Sequence, residues 1–328
     1  MRVDVHSHFM PPRYVDKLGE LGGYEQLEAL KPYGAFASAY AAHLFPEGES
    51  AFIENWIQNM DTRDVDAMVM SVNIQPYFAE EKSAVTAARF GNEMMRDAVG
   101  MGRGRLMAFG CLPLPHAEAA VKEIEFCLDE CGFAGINLGC SADGRPLDDP
   151  AFDEVWAALN DRAATVYLHA GQTPQMGVGS GDYQLGPSFG GPTEIALAMS
   201  RLVLNKVTVK YPNMRIIGAC LGGSIPHFTE RLVAHLQLVY RGLYEELDGV
   251  LPHLRRFWYD TGIEDTYGYE AVRRTLGVDR LVLGSDSPRM PVSDAVDRIT
   301  STDLLTEDEK AQILDHNGAK SLGLPVSA

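Results

Sequence analysis

The sequence predicts an α/β fold, a (β/α)8 TIM barrel, and three observations predict it. Short apolar, β-branched runs recur eight times, helical patterns lie between them, and the residues suited to chemistry fall at the C-terminal ends of the runs. At 328 residues the chain is long enough for one large barrel, and a hydrophobic content of 46% supplies its core. No repeat, charge block or linker interrupts it, so residues 1–328 are expected to form a single domain.

Taken in order, the strand-like runs are Arg2–His8, Asp66–Val72, Leu106–Leu112, Gly132–Leu138, Thr165–His169, Met214–Cys220, Phe257–Thr261 and Arg280–Ser285. Eight is the number a closed barrel needs. The helical patterns include Ala84–Val99, Ala117–Glu130, Phe152–Asp161 and Pro192–Lys210, each with apolar residues at roughly 3.6-residue spacing. Two stretches interrupt the alternation. Residues 10 to about 50, after the first strand, are rich in Gly, Pro, Tyr and Phe and too long for a plain crossover, so an inserted flap is expected there. After the fifth strand, residues 171–192 (GQTPQMGVGSGDYQLGPSFGGP) form a long Gly-rich loop over the same end of the barrel. Within it GVGSGD, at 177–182, superficially resembles a dinucleotide-binding loop but lacks the tight strand–turn–helix setting, and is read as a lid.

Composition bounds the partners. A formal net charge of −17 repels phosphate backbones and anionic lipid surfaces, which argues against nucleic acid and membranes. It leaves room for an anionic substrate, because a metal and one or two arginines reverse the sign locally. Five cysteines, an odd number in a long chain, read as reduced thiols of a cytoplasmic protein. Cys127 and Cys131, four apart in a helical pattern, read as packing residues. The first residues carry no apolar signal region and no run approaches membrane-spanning length, so a soluble protein is expected.

The chemistry gathers at strand ends. His6 and His8 are two apart on the first strand, and period-two alternation points both into the barrel. His169 ends the fifth run and Asp286 follows the eighth. A single buried histidine is ordinarily a satisfied core residue. Three, with a carboxylate, at matching positions on the rim where barrel enzymes work, read instead as ligands of one divalent metal ion per chain. Imidazoles and a carboxylate suit zinc, or manganese or iron if water completes a higher coordination number.

Several stretches together resemble one family: VDVHSHFMPPRYV, VYLHAG, GPTEIALAMSRLVLNKVTVKYPNMRIIGACLGGSIPHFTERL, LVLGSDSP and the closing ILDHNGAKSLGL. They are similar to the amidohydrolase-related decarboxylases, which include aminocarboxymuconate semialdehyde decarboxylase, γ-resorcylate decarboxylase and related benzoate decarboxylases. The resemblance runs from residue 1 to about 325. It implies a distorted barrel, one catalytic divalent metal (zinc or manganese) and often a homodimer. It carries His6, His8, His169 and Asp286 over as metal ligands, with Asp286 also a proton donor or acceptor. Binuclear relatives place a carboxylated lysine at the end of the fourth strand. Here that strand ends Gly-Ile-Asn137-Leu-Gly, so a mononuclear site is expected.

The chain departs from the family at the sixth strand, where relatives carry a histidine before a Gly-Gly turn and this sequence has Cys220. Three readings stand: Cys220 is a bystander, an active acid, base or extra ligand, or the mark of an altered reaction. A thiol with an ordinary pKa near 8.5 is a different base from imidazole. His227 is a conceivable substitute, though a surface or packing role suits it better. Arg231, eleven residues beyond Cys220, matches a position that holds substrate carboxylate in the muconate-type relative, and competes with the reading of an exposed helix arginine. Arg289, three past Asp286, is a second anion-binding candidate. Trp56, before Met60-Asp61, stands where that relative has a further arginine, which points away from the muconate substrate and toward a flatter ring.

The expected function is metal-dependent, non-oxidative decarboxylation of a small hydroxylated aromatic or unsaturated carboxylic acid. Asp286, or a metal-linked water, would protonate the ring carbon; Arg231 or Arg289 would orient a second anionic group; Phe9, Trp56 or Phe189 would form an aromatic wall. The alternative is a hydrolase or hydratase acting on a lactone or unsaturated diacid in the same site, weakened by the missing histidine. A catalytically silent metal-binding barrel is the third reading.

Overall fold

A computed structural model describes residues 1–22, 43–170, 183, 185–263 and 266–325. Eight strands lie in chain order around one parallel sheet: β1 (Val3–His8), β2 (Ala67–Ser71), β3 (Leu106–Gly110), β4 (Gly135–Gly139), β5 (Thr165–His169), β6 (Arg215–Gly218), β7 (Trp258–Asp260) and β8 (Leu281–Val282). The sheet nearly closes on itself. The Val5 amide donates to Leu283 O at 2.9 Å, Asp286 N to His6 O at 2.8 Å and His8 N to Ser287 O at 2.7 Å, and a parallel bridge joins Ser7 to Ser287. The expected (β/α)8 barrel is what forms.

Each expected strand is present, and most are shorter at the ends. β8 is the most reduced, Leu281–Val282 within the expected Arg280–Ser285. Beyond Val282 the chain turns its polar groups to β1: Ser285 N and Oγ both donate to Asp4, and Gly284 leaves no room for a side chain, since a Cβ there would lie 2.8 Å from Asp260. Between β1 and β2 the register shifts between Asp4 and Ser7, and the barrel is irregular at that point.

The helices pack outside. α1 (Pro12–Glu20) opens with proline, whose missing N–H costs nothing in the first turn. α2 (Glu49–Asp61) buries Phe52, Ile53, Trp56, Ile57 and Met60, a three-and-four spacing that faces the barrel. α1 lies inside the expected flap, residues 10 to about 50, and α2 begins at its far end; residues 23–42 lie outside the described residues. α3 (Glu81–Met101), α4 (Ala117–Ile124, continued by a π turn over Glu125–Glu130) and α5 (Asp153–Asp161) follow expectation. The expected helix Pro192–Lys210 is instead α6 (Gly191–Leu204) and a short turn, Val207–Lys210, because Lys206 adopts a left-handed φ of 61°. α7 (Ile225–Val239) follows β6. The GVGSGD segment lies outside the described residues. No helix among the described residues is long and apolar enough to cross a membrane.

Inside the barrel the floor of the site is aromatic. Tyr167 and Phe109 stack at 5.3 Å between centroids, and the His6 ring stands edge-on to Tyr167, also at 5.3 Å. These rings are fully or nearly fully buried, so water is excluded beneath the histidines.

Candidate metal centre

Strand geometry brings the four expected ligands together. His6 and His8 share one face of β1, and their Nε2 atoms lie 3.2 Å apart. Asp286 Oδ1 is 3.4 Å from His6 Nε2 and 3.1 Å from His8 Nε2. His169 ends β5 with its ring centroid 4.7 Å from that of His8, and its Nδ1 lies 3.1 Å from Ala170 O. One ligand atom from each of the four residues lies within 4.8 Å of all the others.

This spacing fits a cation. Two donors each ~2.1 Å from a tetrahedral ion sit roughly 3.4 Å apart. Two imidazole nitrogens facing each other at 3.2 Å need a proton or a cation between them. Three imidazoles and one carboxylate form a donor set of borderline softness, suited to a first-row divalent ion.

The charges support the same reading. Burial lowers the affinity of His6 for a proton, but the carboxylates of Asp260 and Asp286 outweigh it and raise its pKa to about 10. Burial, then the neighbouring His8 and His6, hold His169 down to about 3, and burial likewise lowers His8. Burial opposes the charge on Asp286, yet His6 and His8 hold its pKa well below the ordinary value. In metal-free protein one proton therefore stands where an ion would, and metal uptake should release it. A linked prediction concerns metal-free stability. His6 is raised above its unfolded value, so its contribution is fully present below about pH 6.5 and lost as pH rises toward 10. Urea melts of chelator-treated protein at pH 6, 8 and 10 should show a falling midpoint, and a midpoint that does not fall over that range contradicts this charge arrangement.

Sequence reasoning passed over two buried carboxylates beside the ligands. Asp260, fully buried at the end of β7, accepts from Tyr167 Oη at 2.8 Å and faces His6 Nδ1 at 3.2 Å. Asp4, also fully buried, accepts from the His6 amide and from Ser285; burial raises its pKa to about 6. The available signal was an acidic residue within a strand run, Asp4 two before His6 and Asp260 next to last in the seventh run. Ser71 Oγ lies 3.2 Å from His8 Nδ1 and so completes the support of β1.

The remaining candidates are placed unequally. Asp286 itself has a positive φ of 60°, a conformation unusual for a residue with a side chain. Its Oδ2 accepts from Arg289 Nε at 2.5 Å, which sets Arg289 directly beside the cluster, half-exposed. Cys220 follows β6 in the left-handed region, φ 51°; its amide donates to Asp260 Oδ1 and its Sγ lies 3.5 Å from Gly262 O. Arg231 and His227 are exposed on α7, and Phe189 is 62% exposed in the turn before α6. Phe9 is fully buried next to His8 and meets Phe45, Phe52 and Trp56 at 5.6–6.2 Å between centroids. The Trp56 indole N–H finds no hydrogen-bond partner among the described residues.

The chain has relatives among known proteins. The chain is 27% identical to 2-amino-3-carboxymuconate-6-semialdehyde decarboxylase of Dictyostelium discoideum, over 99% of this chain and 92% of that one. It is 27% identical to 6-methylsalicylic acid decarboxylase of Penicillium expansum, over 92% and 88% of the two chains. In fold it is similar to 5-carboxyvanillate decarboxylase of Novosphingobium aromaticivorans, solved with bound manganese, at a TM-score of 0.82 and 20% identity over 99% of this chain and 97% of that one. A family model described as amidohydrolase matches residues 3–324.

Proposed function

The chain belongs to the amidohydrolase family, and from that premise we propose that it is a metal-dependent carboxy-lyase removing carbon dioxide from a small hydroxylated aromatic acid. One observation carries the reading: His6, His8, His169 and Asp286 offer ligand atoms within 4.8 Å of one another, in a chain whose relatives are decarboxylases. These four residues would hold one divalent ion per chain, zinc or manganese, and manganese is the ion recorded in the carboxyvanillate relative. When bound, such an ion would supply positive charge that attracts the substrate carboxylate and offsets charge developing as the bond breaks.

The protein's own groups do the rest. Asp286 divides its oxygens between two tasks, Oδ1 toward His6 and His8 and Oδ2 toward Arg289. His6 and His8 hold Asp286 ionised, so it first takes a proton from solvent at Oδ2 as substrate draws Arg289 away, and then passes that proton to the ring carbon that bears the carboxylate. The carbon–carbon bond then breaks, its electron pair restores the aromatic ring, and carbon dioxide leaves. Arg289, already on Oδ2, is better placed than the exposed Arg231 to orient a second anionic group. Phe9, the residue after His8, forms one buried aromatic cluster with Phe52 and Trp56, and in this reading that cluster would supply the flat apolar wall for a ring. Homodimer assembly, implied by the resemblance, and a cytoplasmic location, supported by the buried thiols of Cys111, Cys127 and Cys140, belong to the same proposal.

The test is direct. Protein purified without chelators should contain about one divalent ion per chain by elemental analysis, and metal-replete protein should release carbon dioxide from at least one member of a hydroxybenzoate panel. Metal-replete protein that releases none across the panel sinks the decarboxylase reading.

A further inference from the structure

We propose that Asp260 is a positioning residue for the metal centre, holding His6 in the tautomer whose Nε2 is free to bind an ion. The inference rests on the reading of His6 as a ligand.

The carboxylate is set by its surroundings before His6 is considered. Its Oδ1 accepts from the amides of Cys220, at 3.0 Å, and Gly262, at 2.8 Å. Its Oδ2 accepts from the Tyr167 hydroxyl at 2.8 Å and lies 3.2 Å from His6 Nδ1, a bent contact between two fully buried groups. An ionised carboxylate only accepts, so the ring nitrogen facing it is the one that carries hydrogen. The proton on Nε2, which faces His8 Nε2 and Asp286 Oδ1, is then the one an incoming ion displaces, and its loss leaves Nε2 with the lone pair. Gly262 keeps the contact open, since a Cβ there would lie 2.4 Å from His6 Nδ1 and 3.0 Å from Asp260 Oδ1. Carboxylates that bind the far nitrogen of a ligating histidine orient it and raise its basicity.

The donors make the consequence specific. Backbone amides only donate, so in Asp260→Asn the amide oxygen must stay with Cys220 N and Gly262 N. The side-chain NH2 then faces His6 Nδ1 and donates to it. His6 would switch to the tautomer with hydrogen on Nε2, pointed at the ion. Asp260→Ala leaves Nδ1 without either demand and lets His6 adopt either tautomer, while stranding three donors.

Two measurements on chelator-stripped protein separate positioning from mere support: manganese(II) affinity by competition with a fluorescent chelator, and melting temperature. Affinity should fall in the order wild type, Asp260→Ala, Asp260→Asn, with Asn weaker than wild type by roughly 10- to 100-fold. Melting temperature should fall in a different order, with Ala the least stable. An Asn variant that binds manganese like wild type, or an Ala variant that is worst on both measures, overturns the proposal. Should the Ala variant fail to fold, 15N-histidine NMR of the metal-free Asn variant decides: an unprotonated His6 Nδ1 supports the proposal and a protonated one overturns it. Wild-type protein that takes up no manganese overturns the reading of the site itself, and this inference with it.

Discussion

Asp286→Ala should abolish decarboxylation, lowering kcat/KM by on the order of 10⁴-fold, because it removes a metal ligand and the proton carrier together. The same variant should purify with well under one divalent ion per chain. Asp286→Asn separates the two roles. Its amide oxygen still reaches the position 3.1 Å from His8 Nε2 and would retain part of the metal, but the group can no longer pass a proton. The expected pattern is therefore intermediate metal content with turnover as low as in the alanine variant. Turnover in Asp286→Asn within tenfold of wild type would show that the proton comes from elsewhere.

Gly223→Ala should be the most damaging single methyl added to the fold. Cys220, Leu221, Gly222 and Gly223 are four successive residues with φ between 51° and 71°. A Cβ on Gly223 would lie 1.7 Å from Pro192 O and 2.5 Å from Pro192 C, both backbone atoms that cannot rotate aside. Left-handed backbone costs a residue with a side chain about 1–2 kcal/mol, and the forced shift at the start of α6 adds about 1–3 kcal/mol. A total of about 2–5 kcal/mol should lower the melting temperature by about 5 °C or more, or leave the protein insoluble. Gly144→Ala is the control: φ is +70° but nothing lies within 4 Å, so only the backbone cost of about 1–2 kcal/mol applies. Equal losses at the two positions would mean that the turn after β6 yields to the added methyl.

The reach of the sequence follows from which forces are local. Period-two spacing placed His6 and His8 on one face, and strand order brought His169 and Asp286 to the same rim, because a barrel built from eight successive parallel strands leaves little choice of arrangement. The eight strands were legible for the same reason, and their shortened ends were not. β8 loses its last residues to side-chain bonds between Ser285 and Asp4, 281 positions apart, which no local pattern announces. Lys206 breaks the helix after β5 in a conformation that lysine does not signal. Asp260 was visible as a residue but not as a participant, since its partner His6 stands on a strand that is not its neighbour in the sheet. The exposure of Arg231 depends on how α7 is rotated against the barrel, and its sequence fits both an exposed and an inward-facing arginine.

The near-closure of the barrel between β1 and the residues after β8 has a consequence for how the protein comes apart. Three of the four proposed ligands stand on either side of that junction, His6 and His8 on the first strand and Asp286 on the segment bonded to it. A bound ion would act there as a clasp between the two ends of the chain, drawing one loop shut around nearly all of the protein. Ends that ordinarily fray first would become the last to separate, and loss of the ion would be felt as an opening of the whole ring rather than as a vacancy in one pocket.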